Sequence, residues 1–146
     1  MKDISMGDNE IDDFLCQGRI LTLATRGDRL HVVPIWYVYE NGKIYVQTGA
    51  NSTKVRDIRK NSEVAMCVDV GEFYYDLKNV RMRGIARILE DSELARSIAE
   101  KIQVKYLGST SHPQAKEYLS NRSSHAVIEM KIVKRYSEDY SRLLNT

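Results

Sequence analysis

Apolar residues along the chain switch between two spacings. In "DNEIDDFLCQG", Ile11, Phe14 and Leu15 recur at helical intervals on one face, and the pattern stops at Gly18. This predicts a short N-terminal helix closed by a left-handed glycine cap, its apolar face laid on the sheet that follows. The period then shortens. "ILTLAT", "LHVVPIWYVY" and "KIYVQT" are rich in β-branched and aromatic residues and are separated by "RGDR" and "ENGK", whose Asn-Gly is the strongest short hairpin signal. They predict three antiparallel strands in succession. "EVAMCVDV" and "NVRMRGIARIL" are two more, joined by the hairpin loop "GEFYYDLK". In "HAVIEMKIVKRYS", Ile128, Met130 and Ile132 alternate with Glu129 and Lys131, which makes a sixth.

Helical spacing returns in three places. "NSTKVRDIRKN" follows the third strand, "DSELARSIAEKIQVKYLG" carries Ser92 as N-cap and ends on Gly108, and "QAKEYL" follows Pro113. Six mainly antiparallel strands, one helix after strand three and a helical pair before strand six predict a closed or nearly closed barrel. A parallel sheet would need a crossover helix between each pair of strands. No low-complexity run or linker divides residues 1–146, so a single domain is expected.

Charge narrows the partner. With 22 basic and 20 acidic side chains the formal charge is +2, which gives no ground for nonspecific nucleic-acid binding or a membrane-surface role and points to a small-molecule partner. No apolar run is long enough to span a bilayer, and "MKDISMGDNEIDDF" is polar where a signal peptide is apolar, so a cytoplasmic protein is expected. Cys16 and Cys67 stand alone, without a CxxC or a histidine at ligand spacing; they read as reduced thiols, and no metal site is expected.

The candidate chemistry lies in "VQTGANSTKVRDIRKN", which places Lys54 and Arg56 in a first helical turn. The partial positive charge there favours acidic residues by about 0.3–1 kcal/mol each. With Ser52 as N-cap and the first-turn N–H groups free, Lys54 can reach the same spot, which is the make-up of a phosphate site. A plain cap with Lys54 and Arg56 solvated accounts for the same spacing, and Ser-x-Lys is a weak signal by itself. Neither GxGxxG nor GxxxxGK[ST] is present.

The order of several pieces adds to this. "LATRGDRLHVVPIWYVYENGKIYVQTG", the Ser-x-Lys helix start, Asn61, Val64 and Ala65 entering the next strand, and "VRMRGIA" from Val80 to Ala86 together resemble the pyridoxamine-phosphate-oxidase-like flavin-binding family from about Ile20 to about Tyr140. The resemblance implies a six-stranded antiparallel split β-barrel, Greek-key-like, with FMN at a homodimer interface. The FMN phosphate would lie near Ser52, Thr53 and Lys54, the ribityl chain near Thr48 with Gln47 beside it, and the flavin ring along Val33, Pro34, Ile35 and Trp36. Pro34, lacking an N–H, is expected to interrupt the sheet ladder and free groups for the ring.

The implied function is an FMN-dependent oxidoreductase of unknown substrate, with a nicotinamide nucleotide as candidate electron donor. No catalytic acid, base or nucleophile can be named. The chain departs from the vitamin-B6 oxidases, which carry lysine where Trp36 stands and arginine where Thr53 stands, so B6 oxidation is not expected. Glu138 occupies the place of a tryptophan in many short relatives. Three alternatives share the fold. One is a deazaflavin-dependent reductase, whose acidic cofactor tail would suit Arg56 and the alternating Arg81, Arg83 and Arg87. Another is a noncatalytic flavin-binding or flavin-storage protein. The third is a haem-handling barrel, whose only candidate ligands, His31, His112 and His125, fall in no recognisable motif.

Overall fold

Helix α1 (Asp8–Gln17) buries Ile11 and Leu15 on the expected face. The residue after it is not a left-handed cap: Gly18 has φ −59° and ψ 150°. Space is what excludes a side chain, because a Cβ at Gly18 would meet the Tyr37 hydroxyl and lie 2.6 Å from Val68 Cγ1. The left-handed glycine cap occurs instead at Gly108, with φ 80°. These elements come from a computed structural model that describes residues 2–90, 92–120 and 124–144.

Among the described residues the strands number seven, not six. "LHVVPIWYVY" does not run as one strand but breaks at Trp36–Tyr37 into β2 (Leu30–Ile35) and β3 (Val38–Glu40). β2 pairs with β1 (Leu21–Arg26), and β3 pairs with β4 (Lys43–Gly49) across a tight turn in which Asn41 and Gly42 both have positive φ. Then come α2 (Thr53–Lys60), β5 (Glu63–Val70), β6 (Lys78–Leu89), α3 (Glu93–Leu107), α4 (Pro113–Ser120) and β7 (His125–Asp139). Both predicted caps form: the hydroxyls of Ser52 and Ser92 accept from the amides of Val55 and Ala95.

All strands join one antiparallel sheet in the order β2-β1-β5-β6-β7-β4-β3. Its two ends, β2 and β3, are consecutive in the chain, so the sheet must curl on itself. A bulge helps: between Arg83 and Gly84 the β6–β7 register shifts by one residue. Gly84 lies where a Cβ would come within 2.8 Å of the Lys131 carbonyl oxygen.

Inside the curl, Leu21, Leu23, Ile44, Val46, Met66, Val68 and Met130 form the main core, which Leu15 of α1 and Val55 and Ile58 of α2 complete. A second cluster fills the space between α3 and the outer face of β3, β4 and β7, with Ile98, Ile102, Tyr45 and Val127 at its centre. β4 is therefore buried on both faces, and "IYV" reads as an unbroken apolar run rather than an alternation.

The same cover encloses Glu129, 5% exposed, on the face of β7 opposite Ile128 and Met130. Its carboxylate accepts from Arg87 Nε at 2.7 Å and from the Tyr45 hydroxyl at 3.1 Å, with Lys43 Nζ at 3.6 Å. The Arg87 hydrogen bond, helped by Tyr45, outweighs burial and holds this carboxyl below the usual glutamate range, while burial and Glu129 together push Tyr45 up to about 12.

Two outcomes are expected. Gly18→Ala should destabilise the fold by about 1–3 kcal/mol, the usual cost of overpacking a filled core, read from urea midpoints. Because Glu129 has a lowered pKa in the folded state, its stabilisation is complete above its ordinary value of 4.5 and is lost as pH falls through the folded value. Glu129→Gln should therefore cost about 1–3 kcal/mol at pH 7 and show a shallower loss of stability on acidification than the parent.

Candidate functional site

Among the described residues, the register leaves strand edges open at both ends of the sheet. β2 pairs only with β1, and β3 covers β4 no further than Tyr45, so the segment from Val46 to Gly49 has β7 on one side and, among the described residues, no strand on the other. Every candidate cofactor residue lies on these edges, at the bend between them or at the start of α2.

Pro34 does not interrupt the ladder. β2 keeps its pairing with β1 through Pro34, which faces Thr22, and on to Ile35 opposite Leu21. An edge strand tolerates proline. The break comes after Ile35, at Trp36–Tyr37. The candidates on β2 also divide between faces: Val33 and Ile35 are half-buried on the inner side with His31, and Pro34 is exposed on the outer side with Val32.

At the bend the missing ladder is replaced by α3. The Tyr106 hydroxyl accepts from the Tyr37 N–H at 3.0 Å and lies 3.0 Å from the Tyr37 carbonyl and 2.8 Å from the Arg19 carbonyl, so its single proton serves one carbonyl at a time. Lys105 Nζ also donates to the Tyr37 carbonyl at 3.0 Å and lies 4.0 Å from the Tyr37 ring centre. Trp36 stacks on Tyr106 with centroids 4.5 Å apart and planes 5° from parallel, and the Arg19 guanidinium lies 4.5 Å from the same ring. Burial, reinforced by Arg19, lowers the Lys105 amine to about 8. Sequence spacing did not single out Arg19, Lys105 or Tyr106. The one available signal was that Tyr106 continues the Ile98–Ile102 stripe of α3.

At the start of α2 the candidates do assemble. Ser52 caps the helix and its hydroxyl accepts from Thr48 at 3.4 Å. The backbone amides of Thr53 and Lys54 have no acceptor among the described residues. Lys54 is half-buried and forms no ion pair or hydrogen bond among the described residues, and burial lowers its pKa. His31 of β2 faces the same region: it lines one groove with Thr53 and Arg56, and its Nδ1 is buried without a partner. Gln47 stands apart, its carbonyl accepting from buried Gln103 at 3.1 Å beneath α3.

The arginines of β6 do share the outer face, but two of them are occupied. Arg81 pairs with Glu138 at 3.2 Å and Arg87 with Glu129, leaving Arg83 without a carboxylate among the described residues. Glu138 thus acts as an ion-pair partner for Arg81. The three histidines sit on separate elements: His31 in β2, His112 accepting from the Gln114 N–H at the start of α4, and His125 against Tyr118. Among the described residues no cluster of His, Cys, Asp or Glu could hold a metal, both cysteines are free thiols, and no helix is long and apolar enough to cross a membrane.

The family model described as pyridoxamine 5'-phosphate oxidase matches residues 8–138. The chain belongs to this family. No curated protein matches it in sequence. Among solved structures, a conserved hypothetical protein of Mycobacterium tuberculosis superposes with a TM-score of 0.88 at 26% identity, over 100% of this chain and 92% of that one. A haem-storage protein of Vibrio cholerae reaches 0.73 at 17% identity, over 90% of this chain and 94% of the other. An FAD-binding protein of Mesorhizobium loti reaches 0.66 at 20% identity, over 91% and 93%. The last two share the fold alone.

Tyr106→Phe should cost about 1–3 kcal/mol by leaving the Tyr37 N–H unpaired, while the stack on Trp36 survives. Trp36 is the only tryptophan, so its fluorescence should be nearly unchanged in the folded variant as the denaturation midpoint falls.

Proposed function

We propose that the protein binds FMN at the open edges beside β2 and the start of α2, as a homodimer, and acts as an oxidoreductase on a small substrate not yet identified. One observation carries this reading: a half-buried lysine without an anion among the described residues, Lys54, stands at a helix start whose amides are free, and the adjoining Thr53 shares a groove with an unpartnered His31 nitrogen. Burying a cation without a counter-charge is costly, and a phosphate group supplies the missing charge. The donor set suits it: two amides, an ammonium, the Thr53 hydroxyl and Arg56. Family membership supports the same cofactor class.

Bound there, FMN would supply hydride or electron transfer. The residues of the chain would hold and orient it. Thr48 and Ser52 offer hydroxyls beside the phosphate. Val33 and Ile35 give a half-buried apolar wall, and Trp36, 38% exposed, presents an indole fixed by Tyr106. A second copy would cover the outer face of β1, β5 and β6, where the small side chains of Thr22, Ala24, Ala65 and Cys67 form a shallow apolar hollow beside Tyr136. The deazaflavin alternative loses its argument from the β6 arginines, since Arg81 and Arg87 already have carboxylate partners.

The test is titration of apo-protein with FMN, followed by flavin absorbance and Trp36 fluorescence, with sedimentation of the complex. Micromolar or tighter binding, about 8 kcal/mol, by a dimer is expected, weakened about 10- to 100-fold by Lys54→Ala, as for loss of a charge-assisted hydrogen bond. FMN binding that Lys54→Ala leaves unchanged would place the phosphate elsewhere. Absence of turnover with NADH or NADPH by the FMN-loaded dimer would leave a flavin-storage role.

A further inference from the structure

The last turns of α1 and α3 meet around Tyr37. From the α1 side, the Leu15 carbonyl accepts from the Tyr37 hydroxyl, and Arg19, just past the helix, donates from Nη1 to the Lys105 carbonyl at 3.2 Å. From α3 comes the Lys105 side chain, whose Nζ lies 4.0 Å from the centre of the Tyr37 ring and 5.1 Å from that of Tyr106. Cys16, the neighbour of Leu15, is a free and exposed thiol at the same junction. It is near enough for its charge to act on both Tyr37 and Lys105.

Two properties set Lys105 apart. It has no carboxylate partner among the described residues, its one hydrogen bond there going to the Tyr37 carbonyl at 3.0 Å. Burial, then Arg19, lowers its amine to about 8, with Cys16 opposing that shift. At pH 7 such an amine is neutral about one-tenth of the time, against less than about one part in a thousand for an ordinary lysine. Only the neutral form is a nucleophile, and half-buried lysines of this kind are the reactive ones.

We propose that Lys105 is an acylation site, loaded by acyl thioesters through Cys16. In the first step the Cys16 thiolate attacks the thioester carbonyl; a carbon–sulfur bond to Cys16 forms, the original one breaks, and the donor leaves as a thiol. In the second, the Lys105 amine attacks the same carbonyl, a carbon–nitrogen bond forms, the bond to Cys16 breaks, and the amine's proton ends on the thiol. Nothing is oxidised or reduced. The positive charge of Arg19 beside the amine favours the oxyanion through which that transfer passes. Acylation removes the charge of Lys105 and with it the charge-assisted bond to the Tyr37 carbonyl. The modification therefore acts on the corner beside Trp36. Neither Cys16 nor Lys105 takes part in the phosphate site proposed above.

Wild-type protein and Cys16→Ser, altered at an exposed position, would be incubated at neutral pH with N,S-diacetylcysteamine. Acetyl groups are located by peptide mass spectrometry before and after hydroxylamine, which removes them from sulfur and not from nitrogen. The expected result is a transient acetyl group on Cys16, followed by acetylation of Lys105 about tenfold or more faster than of the exposed Lys116 and Lys131, the advantage of an intramolecular transfer. Cys16→Ser brings Lys105 down to the rate of those two lysines, and so does unfolding the wild type in urea, because the fold alone joins positions 16 and 105. An unchanged urea midpoint shows that the variant is folded, and Cys16→Ala repeats the test with a second side chain. The proposal is overturned if Lys105 is acetylated as fast without Cys16 as with it, if the acetyl group stays on Cys16, if neither residue is acetylated, or if the preference for Lys105 survives in urea.

Discussion

Between Ile35 and Val38 the chain leaves one strand pairing and enters another, and Tyr37 is stranded between the two ladders. Its ring is fully buried, so its peptide groups cannot turn to water. An unpaired buried N–H costs about 1–3 kcal/mol, and the Tyr106 hydroxyl and Lys105 amine take up both backbone groups. The two side chains hang from the last turn of α3, whose position is fixed by Ile98 and Ile102 in the second core. The packing of a distant helix thus sets the angle at which β2 turns into β3. That angle closes the sheet between its first and last strands and leaves β2 and the end of β4 as open edges.

The open edges explain why polar chemistry gathers where it does. A closed barrel would pair the segment from Val46 to Gly49 with a further strand and leave no room beside the start of α2. Here α2 packs Val55 and Ile58 into the barrel, which turns its capped end and Lys54 toward the gap. The N-cap hydroxyl of Ser52 satisfies one amide, and the next free donors have a lysine rather than a carboxylate beside them. In a first turn, where an acidic residue would be the stabilising choice, that arrangement makes sense as a standing invitation to an anion.

Much of this was legible in the sequence, for reasons that can be located. The hairpin at Asn41–Gly42, the caps at Ser52, Ser92 and Gly108 and the Pro113 helix are local signals, and each formed as read. The apolar run of "LHVVPIWYVY" is equally a local signal, but its break is not. Nothing within the run marks Trp36–Tyr37 as the corner, because what stabilises that corner is Tyr106, 69 residues away. Pro34 drew attention two residues early, since its missing N–H suggests a broken ladder; an edge strand simply does not need that N–H. Gly18 was misread for a related reason. Its position after a helix suggests a backbone role, and the side chain it excludes belongs to Tyr37 in another element.

Charge shows the same limit more sharply. By alternation alone, Arg81, Arg83 and Arg87 form a cationic row, and the sequence offers no way to see that Glu138 and Glu129 on β7 neutralise two of them across the ladder. Among the described residues, other unpaired cations are divided between a hairpin and a helix: Arg29 on one wall, Arg56 and Arg59 on the other. Where an anionic ligand can bind is decided by which cations the fold leaves without partners, and pairing is a property of register and packing. In this protein that criterion favours the start of α2 over the sheet face for the anion proposed above, beside Lys54, whose ammonium burial destabilises. An anion held at the helix start would meet free amides and an unpaired lysine, whereas beside Arg81 and Arg87 it would have to displace carboxylates already in place.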